Sequence, residues 1–423
     1  MFKKIIRKDG SVILLAPKSD TKAVTAQIMY KVGSRQETAA LNGSSHFVEH
    51  LMFKGTKKRP TTLAISKELD SIGAQFNAFT GKDRTAYYIK ADSGHLSLAM
   101  DMLSDMLRHS VLDPAEVKKE RGVILEEMKM YEDNPSMYIE DVYESLQFRG
   151  TTLGRMIIGT RQTIGNDISR NQLYQYKKRW YYPGNMIIGM AGALDEAEAL
   201  RLANKYFPVE KRKSNRAKIR PVKLSQTQAR VSLVSRETEQ VQIALGFPGL
   251  RSQHTQLPAL TVLSTILGGT MSSRLFINIR EKRGLCYFIR SGAETYEDVG
   301  AFVIRSGLDK NRLHSALKLI KGELDRLTSS LVSSEELSRA KENIKGKTIL
   351  NLEDQGDYLY FLQSQELLHH RIQTAEQKLA KIQSVSREDV QRVARSIIRW
   401  SKSNLAIIGP YKDEKEFVKI LRA

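Results

Sequence analysis

Ser169-Arg170-Asn171-Gln172-Leu173 opens a helical stretch, and Asn185-Met186-Ile187-Ile188-Gly189 follows it as a short apolar strand. The same two signals return as Ser386-Arg387-Glu388-Asp389-Val390 and Asn404-Leu405-Ala406-Ile407-Ile408-Gly409. The offsets, 386 − 169 = 217 and 404 − 185 = 219, are about half of the 423 residues. The two halves therefore read as diverged copies of one unit. Length agrees, since a prior of roughly 150 residues per domain asks for two or more. The division falls at a basic, proline-flanked run, giving a first domain over 1–214, a linker over 215–225 and a second domain over 226–423.

Working outward, the first copy has β-branched strands over Ser11 to Ala16 and Ala23 to Val32, then a short helix from about Ser45 to Lys54 stopped by Gly55. Thr62 to Ile72 reads as a helix, Gln75 to Phe79 and Thr85 to Lys90 as a hairpin around Gly81-Lys82-Asp83, and Leu96 to Arg108 as a further helix. Asp113-Pro114 is a cap followed by proline at the first helical position, and that helix reaches Asn134-Pro135. The second copy has strands near Val231 to Val234 and Val241 to Phe247, and helices near Gln256 to Leu267, Asn311 to Leu327 and Ser334 to Thr348. The fold class is α+β: two homologous α/β sandwich domains, each a mostly antiparallel sheet covered by helices on one face.

Hydrophobic residues at 41% and charged residues at 27% fit a chain folded throughout. The apolar run Val12 to Ala16 behind the basic N-terminus is too short for a signal core or a membrane span. One cysteine, Cys286, rules out an intramolecular disulfide and fits a reducing compartment, so a cytoplasmic protein is expected. The net charge of +20 is the one compositional argument for a polyanion partner. Its densest run is Lys211, Arg212, Lys213, Arg216, Lys218, Arg220 and Lys223, which reads as a solvated linker; no nucleic-acid motif accompanies it.

The chemistry gathers at His46-Phe47-Val48-Glu49-His50. On a helix, positions i and i+4 differ by about 40° and i+3 lies about 60° to the other side, so two imidazoles and a carboxylate share one sector. Two nitrogen ligands from one rigid element, with a base beside an open coordination position, are what a hydrolytic zinc site needs. Phe47, Val48 and Leu51 are left to anchor the helix. A third ligand comes from the Asp113 helix, where Glu120 and Glu127 are seven residues apart and nearly share an azimuth, while Glu126 points about 100° away. Glu127 is assigned as the third metal ligand, Glu49 as general base, and Glu120 as acceptor for a ligating imidazole N–H, its alternative being a solvent-facing carboxylate. The second half has no copy of this motif, so one Zn2+ per chain is expected.

These residues carry a resemblance. His46-Phe47-Val48-Glu49-His50-Leu51-Met52-Phe53-Lys54-Gly55-Thr56, and Glu120-Arg121 followed by Val123-Ile124-Leu125-Glu126-Glu127, resemble the pitrilysin and mitochondrial processing peptidase family of zinc peptidases, in particular its short two-domain bacterial members. The likeness spans essentially the whole chain and implies a processing-peptidase-like metallohydrolase fold. The spacing 127 − 50 = 77 agrees with the family pattern and favours Glu127 over Glu126. Gly73 to Thr80 and Arg84 to Tyr88 echo the family's first-domain hairpin, whose edge strand pairs with substrate backbone; Asn77 and Ala78 would then hold the peptide. Arg280-Glu281-Lys282-Arg283-Gly284-Leu285-Cys286-Tyr287 resembles its arginine and tyrosine pair, with Arg280 orienting substrate and Tyr287 donating to the tetrahedral oxyanion. In such enzymes that pair comes from the partner half of a closed chamber, which implies a homodimer here, or a heterodimer with a related subunit. A non-catalytic peptide-binding subunit of the same fold is the first rival reading, and a basic nucleic-acid-associated protein the second. Cys286 itself reads as a small buried residue, His369-His370 as a helix end, and Gly268-Gly269 as a turn rather than a phosphate loop.

Overall fold

The computed structural model describes residues 2–211 and 214–422, so Arg212 and Lys213 of the basic run lie outside the described residues. The chain forms two compact units. The first takes Met1–Lys129, Arg155–Arg220 and Leu350–Ile372; the second takes Met130–Gly154, Pro221–Ile349 and Gln373–Ala423.

The first sheet has strands β1 (Lys3–Ile6), β2 (Val12–Pro17), β3 (Ala23–Tyr30), β4 (Gln75–Thr80), β5 (Thr85–Asp92) and β6 (Met186–Gly192), in the order β1-β2-β6-β3-β5-β4. The second has β7 (Arg230–Ser235), β8 (Gln240–Gly249), β9 (Cys286–Thr295), β10 (Gly300–Asp309) and β11 (Asn404–Gly409), in the order β7-β11-β8-β10-β9. Each sheet is antiparallel but for one pair, β2 with β6 and β7 with β11, and those pairs occupy matching places. Apart from the extra β1, the two orders superimpose strand for strand, which is the duplication read from the sequence.

In chain order the helices are α1 (Ser44–Leu51), α2 (Thr62–Asp70), α3 (Leu96–His109), α4 (Pro114–Asp133), α5 (Pro135–Gln147), α6 (Arg170–Trp180) and α7 (Glu196–Tyr206). The later ones are α8 (Leu257–Gly268), α9 (Leu313–Ser329), α10 (Ser334–Asn351), α11 (Gln355–His369), α12 (Ala375–Gln383), α13 (Arg387–Ile397) and α14 (Glu414–Arg422). The repeated motif has a local cause: Ser169 and Ser386 each cap a helix in a reciprocal box, with Gln172 and Asp389 respectively. Those helices, α6 and α13, lead into β6 and β11, whose side chains are buried along their whole length.

That complete burial overturns the expectation of helices on one face only. Side chains alternate along a strand, so a strand buried at every position is covered on both sides. In the first unit α3 and α7 pack on the sheet. Val12, Leu14, Ala16 and Ile187 instead join Leu359, Leu362 and Leu367 of α11. In the second unit Leu405 and Ile407 join the main core, while Ala406 and Ile408 meet Ile139, Val142 and Tyr143 of α5. Thus α5, from the first half of the sequence, closes the second sheet, and α11, from the second half, closes the first. The compact units do not separate at one cut near 215–225.

Both lent helices press close to their sheets. A Cβ at Gly189 on β6 would come within 2.5 Å of Gln363 Nε2 on α11, and one at Gly246 on β8 within 2.0 Å of the Tyr143 hydroxyl on α5. Gln363 Nε2 donates to the backbone oxygens of Gln27 at 3.0 Å and Ile187 at 3.3 Å, which ties α11 to the sheet through the amide nitrogen of a side chain set in an apolar layer.

The segment 215–225 has neither helix nor strand, but the expectation that its charges are solvated fails at Arg216. That side chain is 7% exposed, donates to Glu366 O at 2.6 Å and lies 3.6 Å from a Glu366 carboxylate oxygen. A buried guanidinium needs such a partner, and here it ties the linker to α11. Lys218, Arg220 and Lys223 remain exposed. Among the described residues no helix is long and apolar enough to cross a membrane.

Candidate metal centre

Helix α1 is short, and its apolar positions fix its pose. Phe47, Val48 and Leu51 are at most 1% exposed, which turns His46, Glu49 and His50 to the other side. Helix α4 docks beside it through Arg121. The guanidinium carbon lies 5.6 Å from the Phe47 ring centroid, and its nitrogens donate to the backbone oxygens of Ile164 and Ile168. Asp113 accepts from the amide of Ala115 at 2.8 Å and so caps α4.

With the two helices held this way, His46, His50 and Glu127 offer ligand atoms that all lie within 4.8 Å of one another. Glu127 Oε1 is 3.8 Å from His46 Nε2, and Oε2 is 3.5 Å from His50 Nε2. The imidazole centroids are 4.6 Å apart at 65°. Glu126 turns to solvent and pairs with Lys129 at 2.5 Å, so of the two adjacent glutamates only Glu127 reaches this group. Glu120 is 1% exposed and bridges two cations: Oε2 meets His50 Nδ1 at 3.1 Å and Oε1 meets Lys54 Nζ at 2.8 Å. Its alternative as a solvent-facing carboxylate is thereby set aside.

The electrostatics follow from burial and these partners. Burial lowers His46 to about 4, with His50 adding repulsion, so His46 is a neutral nitrogen donor at pH 7. Burial also works against charge on His50, but hydrogen bonds to Glu120 and Glu127 outweigh it and raise this histidine to about 9. The proton on His50 satisfies the same carboxylates that a bound cation would satisfy. Glu120 and Glu127 lie below the usual carboxylate range: burial opposes this, and the His50 hydrogen bonds, joined at Glu120 by Lys54, prevail. Glu49 is pushed up by burial, against a hydrogen bond donated by the Thr80 hydroxyl. Two histidines and a carboxylate match the donor set of an open, hydrolytic zinc site, and His50 Nδ1 is already taken by Glu120, which leaves its Nε2 for the metal.

The remaining sequence candidates divide between the units. Asn77 and Ala78 lie on β4, the edge strand that ends at Thr80. Alternation puts Ala78 on the Thr80 side; Asn77 is exposed, and its Oδ1 accepts from the Ala78 amide at 2.8 Å. Arg280 and Tyr287 belong to the second unit and meet there: the Arg280 guanidinium carbon is 4.5 Å from the Phe276 ring centroid and 5.6 Å from that of Tyr287. Tyr287 is 73% exposed. Three site residues escaped the sequence reading. Lys54 lies four residues past His50, just beyond the end of α1, a spacing that could have flagged it; Thr80 ends β4, one residue past the strand expected over Gln75 to Phe79. Glu37, described below, left no signal in the sequence, because it acts across a loop.

Two histidines and one carboxylate, with a further glutamate on the helix that carries the histidines, form a donor set that hydrolytic metalloproteins use. The model of the insulinase family, peptidase family M16, matches residues 12–161, and that of the "peptidase M16 inactive domain" matches residues 167–344. The chain therefore belongs to peptidase family M16. It is 37% identical to an uncharacterized zinc protease of Streptomyces coelicolor, covering 93% of this chain and 86% of that one. It is 34% identical to the uncharacterized zinc protease YmxG of Bacillus subtilis, covering 97% and 98%. A protease from Helicobacter pylori has the same fold, with a TM-score of 0.90 at 24% identity over 97% of this chain and 99% of that one. The family and these relatives support a metallopeptidase.

Proposed function

We propose that this chain is a zinc metalloendopeptidase that hydrolyses peptides or unfolded polypeptide segments, with one zinc held by His46, His50 and Glu127. The observation that carries the reading is the convergence of two imidazoles from α1 with one carboxylate from α4, seventy-seven residues later, beside the half-buried Glu49. Bound there, zinc supplies a Lewis acid for the scissile carbonyl and lowers the pKa of water toward neutrality.

The chain's own residues do the rest. Glu49, raised by burial, takes the proton of the attacking water and returns it to the leaving amine. Thr80 holds that carboxylate by donating its hydroxyl proton to Oε2. Glu120 keeps the His50 ring in one orientation by occupying Nδ1. The outer edge of β4 takes an extended peptide by strand addition, and the Asn77 amide oxygen now on the Ala78 N–H is the contact that an incoming carbonyl replaces.

Arg280 and Tyr287 complete the site in trans, Arg280 orienting substrate and Tyr287 donating to the tetrahedral oxyanion, in a closed dimeric chamber where one subunit's second unit faces the other's metal. The exposure of Tyr287 supports this reading, since a donor awaiting substrate has no reason to be buried in its own unit. The single cysteine supports a cytoplasmic setting.

Mass spectrometry of an unstructured peptide library incubated with the purified chain, with and without chelator and with zinc restored, tests the reading. Internal cleavage that disappears with chelator and returns with zinc is expected. Cleavage indifferent to chelator, or none in the zinc-loaded dimer, overturns it.

A further inference from the structure

Helix α1 has eight residues, too few to be stable alone, and its starting residue offers no side chain to cap it. Its cap position is Gly43, at φ 97, a left-handed conformation that a side chain resists. Space forbids one as well: a Cβ there would approach the Ile158 carbonyl oxygen to 2.8 Å and the Gly159 Cα to 2.9 Å. The first-turn N–H groups are buried away from water, so they need an acceptor from elsewhere.

That acceptor is Glu37, six residues upstream. One carboxylate oxygen accepts from the Gly43 amide at 2.7 Å and from Asn42 Nδ2 at 2.9 Å; the other accepts from the Ser45 amide at 2.7 Å. The side chain is buried, and burial pushes its carboxyl up to about 7 against the pull of those donors. A carboxylate is not placed at such cost where a serine at the cap would serve. The grip extends to the surroundings of α1. Asn42 also donates to Met156 O at 2.8 Å, Arg155 donates to the Glu37 backbone oxygen at 2.5 Å, and Ser45 Oγ meets the Tyr176 hydroxyl at 2.7 Å. Ser45 is adjacent to His46, so its amide nitrogen fixes where that imidazole begins.

We propose that Glu37 is a positioning residue for the metal centre: its buried carboxylate pins the first turn of α1, and this sets the pose of His46 and, one turn on, of His50. This rests on the reading of that centre as a metal site. It is separate from capping as mere stabilisation, because the pinned turn carries a ligand rather than only backbone.

The test compares Glu37→Ala, Glu37→Gln and Leu202→Ala with the parent protein. Leu202, 1% exposed, is a core residue of the same unit on α7, a helix that packs against α3 and β2, so it reports loss of stability alone. Each protein is loaded with cobalt(II), its affinity is measured by chelator competition, and its visible absorption bands are recorded. For Glu37→Ala we expect affinity to fall by about 10–100-fold, the range for losing a residue that orients ligands, together with shifted bands. Glu37→Gln keeps one acceptor oxygen and turns an amide NH2 toward a donor, so an intermediate shift is expected from a variant that folds where the alanine does not. Leu202→Ala should lower the melting temperature yet leave affinity and bands as in the parent. Parent-like affinity and spectrum in folded Glu37→Gln, or changes in Leu202→Ala matching those at Glu37, overturn the proposal. Failure of the parent itself to bind cobalt refutes the metal reading instead.

Discussion

Helices α1 and α4 of the first unit and helices α8 and α10 of the second occupy equivalent stations in the duplicated fold and bear opposite chemistry. Both α1 and α8 follow the central strand of their sheets, but α8 is buried through Ala259, Leu260, Val262, Leu263, Ile266 and Leu267, whereas α1 turns His46, Glu49 and His50 out of its core face. Helices α4 and α10 start 334 − 114 = 220 residues apart, so Glu120 corresponds to Ala340 and Glu127 to Lys347. Where one copy has an acid that reaches two imidazoles, the other has a lysine that donates to the Gly269 carbonyl at 3.1 Å. The layers and strand orders tolerate either set. The candidate metal site is thus laid on the fold by a few polar positions and is not a product of the fold.

The sharpest way to break this contrast is Glu49→Gln. Turnover of a peptide substrate should fall by about 10²–10⁴-fold with zinc content unchanged, read by steady-state kinetics and metal analysis. Near-parental turnover with metal in place would remove Glu49 from its role. Next, the two cores should answer alike where the two helix pairs do not. Leu362→Ala on α11 and Leu263→Ala on α8, each fully buried, should each cost about 2–5 kcal/mol in denaturant unfolding. A much smaller loss at Leu362 would mean that α11 does not close the first sheet.

A weaker effect is expected from Glu120→Gln, which should lower zinc affinity about 10–100-fold in chelator competition. In the second unit, Lys347→Glu at the counterpart of Glu127 should leave metal content where it was, because α8 carries no histidine. Smallest is Lys177. Burial lowers its ammonium to about 8, and its Nζ donates to the Ser110 hydroxyl at 2.6 Å. The unfolded chain holds the proton up to about pH 10.4, so between about 8 and 10.4 the folded state gains stability as pH rises. Lys177→Met should therefore be more stable than the parent at pH 7 by about 1–2 kcal/mol, an advantage that fades by pH 10 in melting curves. An advantage constant over that range would show that the charge is not responsible.

Local rules made much of this legible. The Asp113-Pro114 start, the hairpin around Gly81-Lys82-Asp83 and the motif spacing on α1 depend on neighbours in sequence, and each lies in the structure within a few residues of its expected place. The reach of Glu127, against Glu126, was legible from helical azimuth together with the 77-residue spacing that the family resemblance implies. What stayed hidden depends on distant partners. Nothing in Gln355 to His369 says which sheet it covers, because an apolar helix stripe fits either. Arg216 looked solvated because its partner, Glu366, lies 150 residues on. Glu37 reads as an ordinary polar loop residue until the loop is seen to fold back on α1.

The exchange of α5 and α11 bears on how the chain is made. Ribosomes release the N-terminal sheet well before Leu359, Leu362 and Leu367 emerge, so while the intervening residues are made Val12, Leu14 and Ile187 face water or a chaperone. Premature pairing through that bare apolar surface is the hazard such a topology carries, and a chain truncated near residue 215 should aggregate rather than yield an isolated metal-binding half.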